Sequence, residues 1–264
     1  MRFSGDSGVV LILVLILVWL VPSVGVAADP EDGVVDDSRA HSRYLEFRIY
    51  TAKEGQRDRF LSYFEEQYLE SQEEKGMRIW GQFRDLDAAN HFVWMRGYRT
   101  MEERASSLMG FYMGAHWKET SPLVGEMLAS AEHVHFLEPV TPGEALDDRL
   151  GRSSDGHQVG VIVVQLFPVE QQAGPLIERI RETLIPAYRK GGATTLGLFE
   201  SSDEENNIPQ LPFIEDEPVV VWLGSFTDRA AFEAARKGLD LQPAPFETFV
   251  LEPGPRSRLY HRGG

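Results

Sequence analysis

The sequence predicts an α+β fold: two tandem ferredoxin-like βαββαβ units that press their sheets together as an intrachain, pseudo-dimeric α/β barrel, preceded by a signal peptide. Three observations predict it. The first is a set of matching segments in the same order in both halves. Ile79 to Phe83 reads Ile-Trp-Gly-Gln-Phe and Thr195 to Phe199 reads Thr-Leu-Gly-Leu-Phe; Lys75 and Gly76 precede one, Lys190 and Gly191 the other. Val93-Trp94-Met95 is echoed by Val221-Trp222-Leu223, with an aromatic three residues later at Tyr98 and Phe226. The second is the alternation of period-two and helical-period segments, which gives each half the order strand, helix, strand, strand, helix, strand. The third is physical: such a unit covers one sheet face with helices and leaves the other bare, so two units in one chain can bury their bare faces together.

The chain starts with an apolar run from Val9 to Val21, then Pro22, small residues from Ser23 to Ala28, and Asp29. This pattern predicts a signal peptide over residues 1–28, with Val26 and Ala28 small enough for cleavage before Asp29. The run is shorter than the roughly 20 residues of a comfortable membrane span. An uncleaved anchor is the alternative. Export to a periplasmic or secreted location follows, and residues 29–42 read as an acidic flexible leader.

In the first unit, residues 43–140, Tyr44 to Tyr50 alternates as a strand: Leu45, Phe47 and Ile49 on one face, Glu46, Arg48 and Tyr50 on the other. Phe60, Phe64 and Tyr68 recur every four residues, which predicts a helix ending at Gly76. Strands follow at Met77 to Phe83 and His91 to Tyr98, then a helical region from Thr100 through Trp117 towards Ala131, and a strand from His133 to Leu137. A Pro-, Gly-, Ser- and Asp-rich stretch makes residues 141–158 the linker. The second unit, residues 159–259, repeats the order: Val159 to Phe167, a helix around Leu176 to Tyr188 kinked by Pro186, Ala193 to Phe199, Pro218 to Phe226, a short helix from Asp228, and Phe246 to Leu251. Its acidic loop, Glu200 to Glu217, is longer than the first unit's. Residues 260–264 form the tail.

The 264 residues carry 26 basic and 41 acidic side chains, a formal net charge of −15, and no cysteine. That balance argues against nucleic acid or an anionic membrane surface as the main partner. Without cysteine there is no disulfide framework, thiol catalysis or thiolate-bound metal. No phosphate-binding glycine loop, nucleophile elbow or zinc-protease motif is present. No cofactor is expected, and no membrane contact beyond the N-terminal segment.

The ordered pattern of Tyr44, Glu46, Arg48, Tyr50, Lys53, Gly55, Gly76, Gly81, Trp94, Tyr98, Arg104 and Trp117, closed by Leu251, Pro253, Arg256, Ser257, Arg258 and Leu259, resembles the NIPSNAP family of the dimeric α/β-barrel superfamily. The resemblance spans most of residues 43–259, with Glu54 where the family's turn has proline. It implies the ferredoxin-like barrel and supplies no agreed catalytic residues.

If the helices cover the face bearing Leu45, Phe47 and Ile49, the barrel interior is polar. Glu46, Arg48 and Tyr50 would then meet Arg78, Trp80 and Gln82 from the second strand, Trp94 and Arg96 from the third, and His133 and His135 from the fourth. The second half would contribute Val161, Val163 and Gln165. Such a concave, aromatic-walled space with converging polar groups suits a small molecule. The competing reading is that Glu46 and Arg48 pair with each other or with Arg78 to satisfy buried charge. His133 and His135, two apart on a strand, could hold a metal with Glu46 as third ligand, although two solvated or hydrogen-bonded histidines explain them better and no metal is assigned. His116 beside Trp117 reads as helix packing, and the repeated Trp94 and Trp222 as core.

Two functions follow. One is an exported NIPSNAP-like protein that binds a small aromatic or apolar ligand in the barrel, or a protein partner on its surface. The alternative is an enzyme resembling the cofactor-independent monooxygenases of the same superfamily. It would act on a quinol-type aromatic with His133 or His135 as base, Arg48 or Arg96 as oxyanion stabiliser and Trp80 as stacking platform. A homo-oligomer is also conceivable, with the basic tail of Arg256, Arg258, His261 and Arg262 docking on a neighbouring copy or folding against its own domain.

Overall fold

The period-two segments form antiparallel strands that close into one ring. The structure, a computed structural model, describes residues 43–152 and 159–262; the expected signal peptide and leader lie outside the described residues. No helix among the described residues is long and apolar enough to cross a membrane.

The first half runs β1 (Tyr44–Ala52), α1 (Arg57–Gln67), α2 (Leu69–Glu73), β2 (Arg78–Asp85), β3 (His91–Tyr98), α3 (Met101–Tyr112), α4 (Ala115–Met127) and β4 (Leu128–Pro139). The second runs β5 (Val161–Pro168), α5 (Ala173–Arg179), α6 (Ile185–Lys190), β6 (Thr194–Ser201), β7 (Val219–Phe226), α7 (Arg229–Arg236) and β8 (Glu247–Pro253). The strands close as β1-β3-β2-β8-β5-β7-β6-β4. Short ladders join the halves, three residue pairs between β2 and β8 and three between β4 and β6. Closure removes the free edges an open sheet would present.

Local chemistry sets several element ends. Thr100 accepts the Glu103 N–H at 3.1 Å and caps α3, and Asp228 accepts the Ala231 N–H at 2.8 Å and caps α7. The helical region expected from Thr100 to Ala131 is two helices broken at Gly114, and β4 begins at Leu128 rather than His133. Leu128 is drawn into the sheet by its pairing with Ala52. The helix expected to kink at Pro186 instead widens into a π-turn, Ile180–Leu184, directly before α6. Proline has no N–H to donate to the preceding turn, and the wider turn accommodates that.

The sidedness of the sheet is the reverse of the expectation. Leu45, Phe47 and Ile49 point into the barrel with Phe83, Val93, Met95, Val164, Val221 and Leu223, and this apolar set fills it. Tyr50, Trp94 and Tyr98 lie instead in the layer under the helices, with Phe60, Phe64 and Phe111. In the second half Val161 and Val163 likewise face their helices, and Gln165 accepts the Tyr188 hydroxyl at 2.9 Å. The physical reason is that both faces of β1 are buried, so alternation separates two layers without saying which one is the lumen. A closed eight-strand barrel has just enough interior for side chains, and aliphatic and aromatic groups fill most of it without needing hydrogen-bond partners.

Bulges on β2 and β6 refine this picture. The register slips between Ile79 and Gly81 and between Thr195 and Gly197, placing Trp80 and Leu196 on the lumen side. A side chain at Gly81 would meet the Phe83 ring at 2.2 Å and the Ser257 hydroxyl at 2.5 Å, so only glycine fits. Leu146 from the linker and Leu259 from the C-terminal segment pack into the lumen cluster with Trp80. The backbone N–H groups of Arg258 and Leu259 donate to the Trp80 carbonyl.

Candidate functional site

Under the helices of the first half lies a buried ion cluster. Alternation on β1 sends Glu46 and Arg48 into this layer, and the β1–β3 register places Arg96 opposite Glu46 and Trp94 opposite Arg48. Glu46 Oε2 accepts from Arg48 Nη1 at 2.6 Å and from Arg96 Nε at 2.7 Å. Its Oε1 accepts from Arg104 Nε of α3 at 2.9 Å. Arg96 Nη1 also donates to Gln72 Oε1 of α2 at 3.0 Å, and Arg48 Nε to the Tyr50 hydroxyl at 3.0 Å. None of the four charged side chains is more than 4% exposed.

Aromatic rings wall the cluster. The Arg48 and Arg96 guanidiniums sit 5.4 and 5.1 Å from the Trp94 ring, and Arg104 sits 5.1 Å from Phe136 and 5.5 Å from Phe213. The long acidic loop of the second half completes the wall. Arg104 Nη1 donates to Asn207 at 2.7 Å and Asn206 at 3.2 Å, and Phe213 and Ile208 join the aromatic core of the first half.

Three guanidiniums around one carboxylate leave two positive charges in excess. Burial alone would push the Glu46 carboxyl up, but Arg96, Arg48 and Arg104 outweigh it and hold it well below the usual range. Burial raises Tyr98 and Tyr50 against the pull of Arg96 and Arg48, so both phenols stay protonated and supply no negative charge. Arg96 Nη2, Trp94 Nε1 and Ser107 Oγ are buried donors without a hydrogen-bond partner among the described residues. Orphaned buried donors cost about 1 to 3 kcal/mol each, which an acceptor in this layer would recover.

The residues expected to line one pocket divide among several places. Glu46, Arg48, Tyr50, Trp94 and Arg96 come together, under the helices rather than in the barrel. Gln82 shares their face and donates to Glu65 at 2.6 Å. Arg78 and Trp80 lie on the other side, where Arg78 donates to the Asp148 carbonyl at 2.7 Å. Sequence reasoning missed Arg104, Gln72, Tyr98, Asn206 and Asn207 as members of the cluster. For Arg104 a signal existed: it precedes Ser107, Leu108 and Phe111 on the buried side of α3, a poor place for an unpaired charge.

His133 and His135 project from β4 on the lumen side, because the β1–β4 register pairs His135 with Phe47 and His133 with Ile49. His135 is 2% exposed and its ring stacks on Phe47 with centroids 6.4 Å apart; His133 stands at the exposed rim. Burial first, then the neighbouring His133, pushes His135 down to about 4. The sheet therefore separates both histidines and Trp80 from Arg48 and Arg96, and the base, oxyanion and stacking constellation expected of an oxygenase is not assembled. Glu46, on the opposite face, is no third ligand to the histidines. No group of three or more His, Asp or Glu poised for a metal exists among the described residues. His116 contacts the Gln67 carbonyl at 2.7 Å.

The lumen among Leu45, Phe47, Met95, Val164, Val221 and their neighbours leaves no room even for a water molecule, far from the roughly 300 Å³ of a small-ligand cavity. A larger groove, about 450 Å³, opens between α1–α2 and α3–α4. Glu66, Glu70, Glu74 and Lys75 stand on its α1–α2 side, and Gly110, Phe111 and His116 on the other. It borders the cluster's layer through Phe111, which lines the groove and packs in the same aromatic layer as Trp94 and Tyr98.

No family model matches the chain, and no curated protein matches it. Among solved structures it is similar to NIPSNAP domain proteins and to monooxygenase-like barrels. One is a candidate monooxygenase from Fusobacterium nucleatum, 11% identical, with a TM-score of 0.53 over 84% of this chain and 95% of that one. A NIPSNAP domain protein from Burkholderia xenovorans is 22% identical, with a TM-score of 0.34 over 37% of this chain and 95% of that one. A NIPSNAP-like domain protein from the same organism is 24% identical, with a TM-score of 0.35 over 38% and 88%. The Fusobacterium likeness supports the fold: a closed antiparallel barrel with helices outside.

Proposed function

We propose that the protein is an exported binding protein for a small phenol- or enol-type aromatic, taken up in the layer between the first-half sheet and α1–α4. One observation carries this reading: three buried guanidiniums share a single carboxylate while Arg96 Nη2 is left without an acceptor. A phenolic oxygen is an acceptor of the right size, the surrounding rings suit an aromatic body, and the excess positive charge favours its ionised form. The acidic wall of the groove, Glu66, Glu70 and Glu74, disfavours a guest that arrives as an anion. A phenol enters neutral and becomes anionic only beside the arginines.

A probe that reports ionisation by colour tests this. 4-Nitrophenol mixed with the protein below its own pKa is expected to turn to the absorbing phenolate on binding, and Arg96→Met and Arg104→Met are expected to abolish the change. Absence of binding, or binding in the neutral form with no dependence on the arginines, overturns the reading. The oxygenase alternative would have to work from this layer, with the arginines stabilising a substrate phenolate. Oxygen uptake with quinols, absent in Arg96→Met, separates it from binding alone.

Export rests on the Val9–Val21 run and the small residues ending at Ala28. The mature protein is expected to begin at Asp29, and N-terminal mass spectrometry of protein from its natural host decides between cleavage and a retained anchor. A protein partner or second copy would use the outer surface. Arg256 and Arg258 of the tail pair within the chain, with Glu70 and Glu73, so self-association through them requires breaking those pairs. Sedimentation at two concentrations reads this out.

A further inference from the structure

We propose that His133 and His135 form a two-histidine site for an exchangeable divalent metal ion of zinc type at the rim of the barrel. Their Nε2 atoms are 3.3 Å apart. Two imidazole nitrogens bound to one zinc at about 2.0 to 2.1 Å each, at the tetrahedral angle, stand about 3.3 to 3.4 Å apart. The spacing lets one imidazole N–H donate to the other ring when no metal is bound, and it matches the chord of a tetrahedral ion. The ring centroids are 5.2 Å apart, farther than the nitrogens, so both nitrogens turn toward the gap.

The arrangement comes from the strand itself. A period of two puts both rings on the lumen side of β4, and the barrel treats them differently. His135 is held rigidly in the packed interior by its stacking on Phe47, which lowers the ordering cost of a ligand group. His133 stands at the solvent-exposed rim, where two remaining coordination positions can be filled by water or an added donor. Burial, helped by the neighbouring His91 and opposed by Glu217, lowers the His133 imidazole from its ordinary value, so it is neutral and has a lone pair free for a metal at neutral pH. With two protein ligands the site exchanges its metal, unlike the closed four-ligand sites that hold zinc for structure. Glu46 and the arginine cluster play no part, so this inference stands independently of the phenol reading.

Cobalt(II) is the probe, because tetrahedral cobalt absorbs visible light far more strongly than octahedral cobalt. The full chain, stripped with a chelator and desalted, is expected to develop the tetrahedral bands on titration and lose them when zinc(II) is added. His133→Gln, on the exposed rim, is expected to weaken binding at least about tenfold and to erase the bands, with the far-ultraviolet circular dichroism unchanged. His116→Gln, on α4 against the Gln67 carbonyl, is expected to keep them. His135→Gln repeats the test from the buried side if it folds. An octahedral spectrum in the wild type, or tetrahedral bands that survive His133→Gln, overturns the proposal.

Discussion

Arg96 Nε lies 2.7 Å from Glu46 Oε2, and neither side chain has any exposure. The carboxylate also receives Arg48 and Arg104, so it is the common counter-charge for three elements: β1, β3 and α3. Removing it leaves three buried guanidiniums without their counter-charge. Glu46→Gln is therefore expected to destabilise the fold by about 3 to 5 kcal/mol. Arg256→Ala, which breaks a half-exposed pair with Glu70, is expected to cost about 1 kcal/mol or less. Urea unfolding of both variants tests the ranking, and equal costs would refute it.

Acid should weaken the protein through the same carboxylate. Its folded value is held below the ordinary 4.5 by arginines that overcome the opposing effect of burial. A carboxylate lowered in the folded state contributes fully above its unfolded value and loses that contribution as the pH falls toward the folded one. This part of the stability is thus complete at neutral pH and declines below about 4.5. Urea midpoints taken from pH 7 downward are expected to fall more steeply below that point in the wild type than in Glu46→Gln. Parallel curves would contradict it.

One substitution at two glycines should act in opposite directions. At Gly81 an added methyl meets the Phe83 ring at 2.2 Å in the packed lumen, so Gly81→Ala is expected to cost about 1 to 3 kcal/mol. At Gly125, within α4, nothing lies within 4 Å, and Gly125→Ala is expected to stabilise by about 0.5 to 1 kcal/mol through helix propensity. A Gly81→Ala thermal midpoint no lower than the wild type's would show that the bulge is not tightly packed, and a lowered Gly125→Ala midpoint would refute the second expectation.

The start of α3 depends on one hydroxyl. Thr100→Ala removes the acceptor for the Glu103 N–H and is expected to cost about 1 kcal/mol. Because α3 carries Arg104, hydrogen exchange should rise first in its leading turn, and a uniform rise across the barrel would argue against a local role for the cap.

The sequence by itself determined the element order and the presence of a mixed charged and aromatic face on β1, because period-two and helical-period patterns are local properties written in every few residues. His91 to Tyr98 is bounded as the alternation indicates, and Asp228 starts its helix where a capping residue should. Local pattern does not say which buried face is the lumen. That was decided by closure, which fills the lumen mostly with apolar side chains such as Phe47 and Val164, and by α3, which brings Arg104 to Glu46 from 58 residues away. The reach of Asn206, Asn207 and Phe213 from the second half's loop onto that arginine is equally invisible in the chain. Contacts across such separations depend on the assembled packing, whereas a strand's alternation depends only on its neighbours.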